Sequence, residues 1–296
     1  MDWIEGITRA IDYIEAHLTE ELDYERIARE SFSSAYHFQR VFSILCGYTL
    51  GEYIRNRRLT LAGAELASGK IKVIDAALKY GYDSPDSFAR AFARFHGVNP
   101  SQARGAKLRS FSRLSIKISL EGGNIMDYKI VKSDEGRFIG FGAHFDGVPG
   151  ERSGQESELW IHSRMKQYIL AGMTKQLYDQ YGVIDNIGDS GYTYRIASRT
   201  DMTDEAYAEL LSLNPEMKGM FELFRLPSAI YVTAETEQSQ YPTMSHLELR
   251  RRMITEWLPS SGYELAEGAE LEIVHWFGGD DKYRRYIEVW LPVKKL

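Results

Sequence analysis

Two segments of the sequence place the same kinds of side chain at the same spacing. Residues 34–47 read SAYHFQRVFSILCG and residues 84–97 read SPDSFARAFARFHG, so a serine, two spaced phenylalanines and a final glycine recur. Each segment also has an arginine between its two phenylalanines. Side chains such as Gln39, Arg40 and Arg90 could recognise bases, because glutamine pairs with adenine and arginine with guanine in the major groove of DNA.

Short helices must position these side chains. Ser33 or Ser34 can cap the first of these helices and Ser84 the second, and the final glycine of each segment can end its helix. The two phenylalanines of each segment are four residues apart and therefore share one buried face. The helix before each segment offers a small residue, Ala28 or Ala77, where two helices can cross. Chance could explain one such copy, but two copies with matching turn signals favour a duplicated helix-turn-helix.

The net charge of −6 is unevenly distributed along the chain. Residues 31–120 contain 14 basic and 5 acidic side chains, a net charge of +9, whereas residues 1–30 carry −6 and residues 121–296 carry −9. Binding to a polyanion depends on the local field, so the basic middle favours nucleic acid as a partner. A solvated basic surface without a partner is the alternative that charge alone leaves open.

Composition argues against several other classes of protein. The single Cys46 has no disulfide partner within the chain, and no His/Cys cluster has the spacing of a metal site. We therefore expect a cytoplasmic protein without a metal or a cofactor. The N-terminus places Asp2 and Glu5 where a signal peptide would be basic, and no apolar run approaches the roughly 20 residues of a membrane span.

The repeated pattern resembles the AraC/XylS family of transcriptional regulators, in which a long scaffold helix joins two helix-turn-helix units. The family's scaffold helix typically carries Tyr-Ile, a basic pair and spaced alanines, and residues 51–66 read GEYIRNRRLTLAGAEL. Residues 77–104, ALKYGYDSPDSFARAFARFHGVNPSQAR, are similar to the family's second unit. The resemblance covers residues 5–107 and implies an all-α domain, residues 1–110, that binds double-stranded DNA.

The same resemblance assigns the recognition helices to those that begin near Ser34 and Ser84. The residues it predicts to contact DNA are Ser34, Tyr36, Gln39, Arg40, Ser84, Asp86, Ala89, Arg90 and Arg94. Phe32 departs from the family, because glycine or asparagine is common there, and we expect a strained or reshaped turn. Asp86 also departs from it: a carboxylate is unfavourable beside phosphates, although it can accept a hydrogen bond from cytosine.

Two recognition helices in one chain have a geometric consequence. A monomer can contact two successive major-groove segments about 34 Å apart, so the target should span about 20 base pairs. The two segments share the residues that fold the helix but differ at Tyr36 and Asp86, and at Gln39 and Ala89. We therefore expect an asymmetric target.

The pattern changes to strands after residue 126. We predict a linker over 111–126 and an α+β domain over 127–296, in which a β-α-β-β unit occurs twice, at 127–200 and 216–293. Helical patterns cover about 156–181 and 243–258. The histidines of this domain are scattered, and we interpret each as a surface or satisfied residue: His144, His162, His246 and His275.

The last strand brings a carboxylate between aromatic rings. Tyr286, Glu288 and Trp290 alternate with apolar residues and so share one face of the strand. A carboxylate between two rings suits a cationic or amphipathic ligand through charge pairing and cation–π attraction. The alternative is an ordinary two-faced sheet in which Glu288 contacts solvent or an arginine.

Residues 127–296 are similar to GyrI-like small-molecule-binding domains, a duplicated β-α-β-β fold found in multidrug-sensing regulators. The similarity rests on WLPSSGYEL at 257–265 and YIEVWLPV at 286–293. In that family the carboxylate of the last strand contacts the ligand, which implies Glu288 here. The resemblance adds four candidate wall residues: Trp290, Tyr286, Trp276 and Tyr231. A sensor domain that follows the DNA-binding domain resembles the architecture of Rob-type regulators.

These patterns together predict a DNA-binding transcriptional regulator that senses a small aromatic or cationic molecule and is not an enzyme. Its expected partners are double-stranded DNA and a small-molecule effector, with RNA polymerase as a further candidate and no membrane. Three alternatives stay open. The second domain could bind a protein, it could hydrolyse small molecules with Glu288 as the base, or the chain could be an architectural DNA binder without an effector.

Overall fold

The computed structural model describes residues 3–115, 127–150, 153–176, 178–277 and 279–296. The chain divides into two compact units, Met1–Leu120 and Glu121–Leu296. The first part of the predicted linker belongs to the first unit, because Phe111 N donates a hydrogen bond to Thr60 Oγ1 at 2.9 Å. Residues 116–126 of that linker lie outside the described residues. No described helix is long and apolar enough to cross a membrane.

All secondary-structure elements in the described part of the first unit are helices. Its helices are α1 (Trp3–Ala16), α2 (Tyr24–Glu30), α3 (Ala35–Cys46), α4 (Leu50–Ala67), α5 (Val73–Lys79) and α6 (Pro85–His96), followed by a 3₁₀ turn (Pro100–Gln102). The predicted caps are confirmed: Ser34 Oγ accepts from His37 N at 3.3 Å, and Ser84 Oγ accepts from Ser87 N at 3.2 Å. Gly47 and Gly97 end the two recognition helices with φ values of +74° and +79°. The all-α double helix-turn-helix fold is therefore confirmed.

The two helix-turn-helix turns have equivalent hydrogen bonds. Phe32 and Gly81, which occupy equivalent positions in these turns, are 49 residues apart in the sequence, whereas the capping serines Ser34 and Ser84 are 50 apart. Phe32 N donates to Arg29 O at 3.1 Å, and Gly81 N donates to Leu78 O at 3.1 Å. Phe32 has a φ of +56°, the left-handed conformation that Gly81 adopts at +75°. The predicted strain at Phe32 is thus present, since a side chain in this conformation costs about 1–2 kcal/mol. The guanidinium of Arg9 lies 5.2 Å from the exposed Phe32 ring.

The long helix α4 carries a core for each helix-turn-helix. Tyr53 in its first half packs against the ring of Phe42 from α3, with ring centroids 5.7 Å apart. Leu59, Ala62 and Leu66 in its second half are buried with residues of α5 and α6. Because apolar residues along this one helix pack against both helix-turn-helix motifs, α4 fixes the orientation of the two motifs relative to each other within the first unit.

The second unit is an antiparallel sheet with helices. Its strands are β1 (Lys129–Ser133), β2 (Gly136–Phe145), β3 (Asp179–Gly188), β4 (Gly191–Arg199), β5 (Glu222–Leu226), β6 (Ala229–Glu235), β7 (Tyr263–Leu265), β8 (Glu270–His275) and β9 (Tyr286–Lys295). Its helices are α7 (Ser153–His162), α8 (Arg164–Thr174), α9 (Asp204–Leu213) and α10 (Ser245–Arg252), the last continuing into a π-helical turn (Met253–Trp257). The predicted helix over 156–181 is too long, since residues from 179 onward form β3, and α9 was not predicted.

The strand order confirms the duplicated α+β fold. Across the described strands the main sheet runs β1-β6-β9-β8-β3-β4-β2-β5, with β7 paired to β9. Exchanging β1 with β5, β2 with β6, β3 with β8 and β4 with β9 reverses this order onto itself. Strands β3 and β8 therefore meet at the centre, where the two β-α-β-β copies join.

The sheet has two different faces. Trp160 of α7 and Arg250 of α10 hydrogen-bond to Tyr194 and Glu270, which places these helices on one face. Strand register puts Glu288 on the opposite face, since it pairs with Ile273 while its neighbour Val289 pairs with Glu272. The candidate ligand carboxylate is thus on the face opposite to α7 and α10.

Candidate functional site

The recognition helix α6 turns a row of polar side chains outward. Asp86, Arg90 and Arg94 are all exposed, and their spacing of four residues places them along one side of the helix. Ala89 beside them is half-buried. Phe88 and Phe92, which share the buried side, fix this orientation. The four predicted contact residues of α6 are therefore positioned as expected, while their contacts with DNA stay predictions.

A basic groove lies between α4 and α6. It encloses about 510 Å³ and is lined by Arg55, Asn56, Leu59, Ser87, Arg90, Ala91, Arg94, Phe95 and Arg109. Four of these described lining residues are arginines and none is acidic. Arginine guanidinium groups present several donors in a fixed geometry that matches phosphate oxygens. The groove can therefore hold a polyanion beside the recognition helix.

Helix α3 exposes less of its predicted surface. Tyr36 and Gln39 are half-buried, and Gln39 Nε2 donates to Ala35 O at 3.3 Å, so its amide lies against its own helix. The predicted outward orientation of Arg40 is wrong, because this side chain is only 3% exposed. The buried face of α3 is wider than the phenylalanine pair indicated and includes Arg40 and Ser43.

The two serines predicted to contact DNA act as helix caps. Ser34 and Ser84 both have extended backbones at the N-cap position, and each hydroxyl accepts a hydrogen bond from a backbone N–H of the first turn. Such caps stabilise a helix by about 1 kcal/mol. Their observed role is therefore to start the recognition helices.

In the second unit, Glu288 lies in a chain of hydrogen bonds. His275 Nε2 donates to Glu288 Oε1 at 2.7 Å, and Trp290 Nε1 donates to Glu288 Oε2 at 2.8 Å. His275 Nδ1 in turn donates to Asp179 Oδ1 at 2.9 Å. Among the described residues, the hydrogen-bond partners of Glu288 are thus a histidine and a tryptophan, whereas the alternative interpretation named solvent or an arginine.

These contacts change the acidity of both groups. Burial opposes the charge on His275, but hydrogen bonds to Glu288 and Asp179 outweigh it, so the pKa of His275 is raised above its ordinary value. Burial also disfavours the Glu288 carboxylate, yet hydrogen bonds from His275 and Trp290 hold its pKa below the ordinary value. Glu288 is therefore an ionised acceptor at neutral pH.

Three of the four predicted wall residues lie on the same face as Glu288. The rings of Trp290 and Tyr231 are 5.5 Å apart, and the ring of Tyr286 stacks on His275 at 4.2 Å. Trp276 does not lie on this face. Its ring packs 6.5 Å from that of Trp160 in α7, because successive residues of an extended chain point to opposite sides.

Further aromatic residues on this face were not predicted. Phe138 packs against Tyr181 at 5.3 Å and against Phe224 at 5.8 Å, and Arg195 lies 5.1 Å from the Phe224 ring. The alternation of side chains along β2 and β3 indicates which of their residues share a face, but only the strand register places these rings on the same face as Glu288. The result is an aromatic face that carries the Glu288 carboxylate and His275 beside it, with Arg195 at its flank.

The fold and basic groove of the first unit define a DNA-binding helix-turn-helix protein. A family model described as "Helix-turn-helix domain" matches residues 27–106. The transcriptional activator AarP of Providencia stuartii is 44% identical over 98 residues, which cover 33% of this chain and 73% of that protein. The regulatory protein SoxS of Salmonella typhimurium is 38% identical over 98 residues, which cover 33% of this chain and 92% of that protein. The chain therefore belongs to the AraC family and is a DNA-binding transcriptional regulator.

Two solved structures are similar to parts of this chain. The structure of SAV2435 bound to tetraphenylphosphonium is 16% identical, with a TM-score of 0.43, and the match covers 57% of this chain and 94% of that chain. The DNA-binding domain of AdpA in complex with a target DNA is 25% identical, with a TM-score of 0.31, and the match covers 33% of this chain and 87% of that chain.

Proposed function

We propose that the protein is a cytoplasmic transcriptional regulator whose second unit senses a cationic aromatic molecule. The observation that supports this most strongly is the ionised Glu288 on a sheet face lined by Trp290, Tyr286 and Tyr231. A carboxylate among aromatic rings attracts an organic cation through charge pairing and cation–π contacts. We further propose that the sensor is GyrI-like, as its two WLPSSGYEL and YIEVWLPV segments suggest.

The first unit would recognise an asymmetric target of about 20 base pairs, with each recognition helix in one of two successive major-groove segments. On α6 we assign base contacts to Arg90 and Asp86, near the N-terminal half of the helix, and phosphate contacts to Arg94 and the rest of the basic groove. On α3 we assign base contacts to Tyr36 and Gln39. AarP is described as a transcriptional activator, which favours activation through RNA polymerase here too.

Hydrolysis by the second unit has less support. The low pKa of Glu288 makes it a weak general base, because an efficient base has a pKa near the working pH. We therefore retain the prediction that the protein is not an enzyme.

Binding of a permanently cationic dye tests the sensor. Crystal violet should bind the full-length protein and raise its thermal transition, whereas its uncharged leuco form at neutral pH should bind much more weakly. Glu288→Gln should weaken crystal violet binding at least tenfold, which corresponds to about 1.4 kcal/mol. The matched variant Glu267→Gln, at an exposed position between β7 and β8, should bind like the wild type. Equal binding by Glu288→Gln and wild type would contradict the assignment of this site.

A further inference from the structure

Three ionisable side chains form a row across the centre of the aromatic face. Asp179 of β3 is the register partner of His275 in β8, and Glu288 follows on the adjacent β9. Both ring nitrogens of His275 face a carboxylate oxygen, at 2.9 Å and 2.7 Å. An imidazole can donate from both nitrogens only when it carries two protons. His275 is therefore an imidazolium between two carboxylates.

This arrangement means that Glu288 already has a cationic partner. His275 occupies one of its oxygens and the Trp290 indole occupies the other. The side chains of His275 and Glu288 are only 14% and 20% exposed, so solvent screens their interaction weakly. A ligand cation that paired with Glu288 would meet the imidazolium on the same carboxylate. Two like charges this close strongly disfavour one another, and only His275 can lose its charge.

We propose that the protein binds its cationic ligand in exchange for a proton from His275. The ligand's positive charge replaces that of the imidazolium at Glu288. The Nε2–H bond of His275 breaks and that proton goes to solvent, while Nδ1–H keeps its hydrogen bond to Asp179. One positive charge enters as one leaves, so the net charge of the row stays at −1. This inference rests on the proposed function, because it concerns the same site.

The groups around His275 are consistent with this exchange. From β9, Tyr286 stacks on the imidazole, and burial raises the pKa of this phenol further, so that it stays neutral. From β6, Glu235 is the register partner of Glu288, and its own partner is Lys129 of β1 at 3.5 Å. Hydrogen bonds to the two carboxylates raise the pKa of His275 despite its burial, which keeps it charged near neutral pH.

Proton exchange gives the ligand affinity a defined pH dependence. Protons compete with the ligand while His275 is charged, so the affinity should rise about tenfold per pH unit below the raised pKa of His275. Above that pKa the imidazole is already neutral, and the affinity should level off. If a cation bound beside Glu288 without displacing a proton, its affinity would not depend on pH in this way.

Calorimetry in two buffers of different ionisation enthalpy tests the exchange. Crystal violet binding to the full-length protein at about pH 6 should release close to one proton, because the pKa of His275 lies above the ordinary 6.5. His275→Gln keeps an amide donor toward Glu288 and should bind the dye with no proton release and no pH slope.

The possible failures separate the two claims. Dye binding with the same heat in both buffers and an affinity independent of pH would overturn the exchange and leave the sensor intact. Proton release that persists in His275→Gln would overturn the assignment to this residue. Absence of dye binding at any pH, together with no thermal shift, would overturn the sensor itself and the exchange with it.

Discussion

Arg90 and Arg94 test how the first unit contacts DNA. Both line the basic groove, but Arg90 lies in the first half of α6 (Pro85–His96) and Arg94 in its last turn. Residues near the N-terminus of a recognition helix contact base edges. Replacing Arg90 by alanine should therefore weaken binding to the preferred target by about 1–3 kcal/mol, roughly 5- to 150-fold. Binding to random DNA should change much less.

Arg94→Ala should behave differently, because its guanidinium is assigned to phosphate. Loss of one phosphate contact makes the negative slope of log affinity against log salt concentration shallower by about 0.9. The affinity for the preferred target and for random DNA should fall by the same factor. Arg26→Ala is a matched control, since Arg26 is exposed on α2 and engaged by Glu30 at 3.1 Å.

Fluorescence anisotropy over a series of salt concentrations measures both effects. The preferred target comes from selection out of a random library, and a shuffled duplex of the same composition serves as random DNA. If Arg90→Ala lowers the affinity for both duplexes by the same factor and makes the salt dependence shallower, Arg90 contacts phosphate. Base recognition by α6 at this position would then be refuted.

Three further predictions concern stability. Arg40→Ala should lower the free energy of unfolding by about 1–3 kcal/mol, since this buried side chain packs within the first unit; an unchanged urea midpoint would contradict its burial. Phe32→Gly should be about 1 kcal/mol more stable than Phe32→Ala, because only glycine relieves the left-handed strain, and equal urea midpoints would argue against that backbone conformation. Because the pKa of His275 is raised in the folded state, its charge should stabilise the fold fully below about pH 6.5, and this stabilisation should be lost as the pH rises through the raised pKa. The melting temperature of the wild type should therefore fall over this pH range, whereas that of His275→Gln should not show this fall.

Most of the first unit could be predicted from the sequence because its signals are local. Ser34, Ser84 and the glycines that follow determine where each recognition helix begins and ends, through contacts within one turn. Arg40 was misjudged because its burial depends on how widely α3 packs against its neighbours, which a pattern of two phenylalanines does not specify. The helix α9 was missed although Thr203 Oγ1 caps it by accepting from Ala206 N at 3.2 Å.

The ligand-binding face was harder to predict because its contacts join distant strands. Alternation in β9 correctly placed Glu288, Trp290 and Tyr286 on one face. The pairing of Glu288 with His275 depends on the register of β8 against β9, which no local pattern fixes. The same holds for a buried pair on the helix side, where His246 lies 3.3 Å from Glu272, although each histidine was treated separately.

The most direct test of the account measures DNA affinity with and without a ligand. The protein is titrated with its selected duplex in the absence and presence of saturating crystal violet, using wild type and Glu288→Gln. A sensor acts on DNA binding only if the ligand favours one of two states, so the wild-type affinity should change about 5-fold or more. Glu288→Gln, which the dye occupies only partly at the same concentration, should show a correspondingly smaller change. A wild-type affinity that stays the same while the dye demonstrably occupies the site would contradict the account.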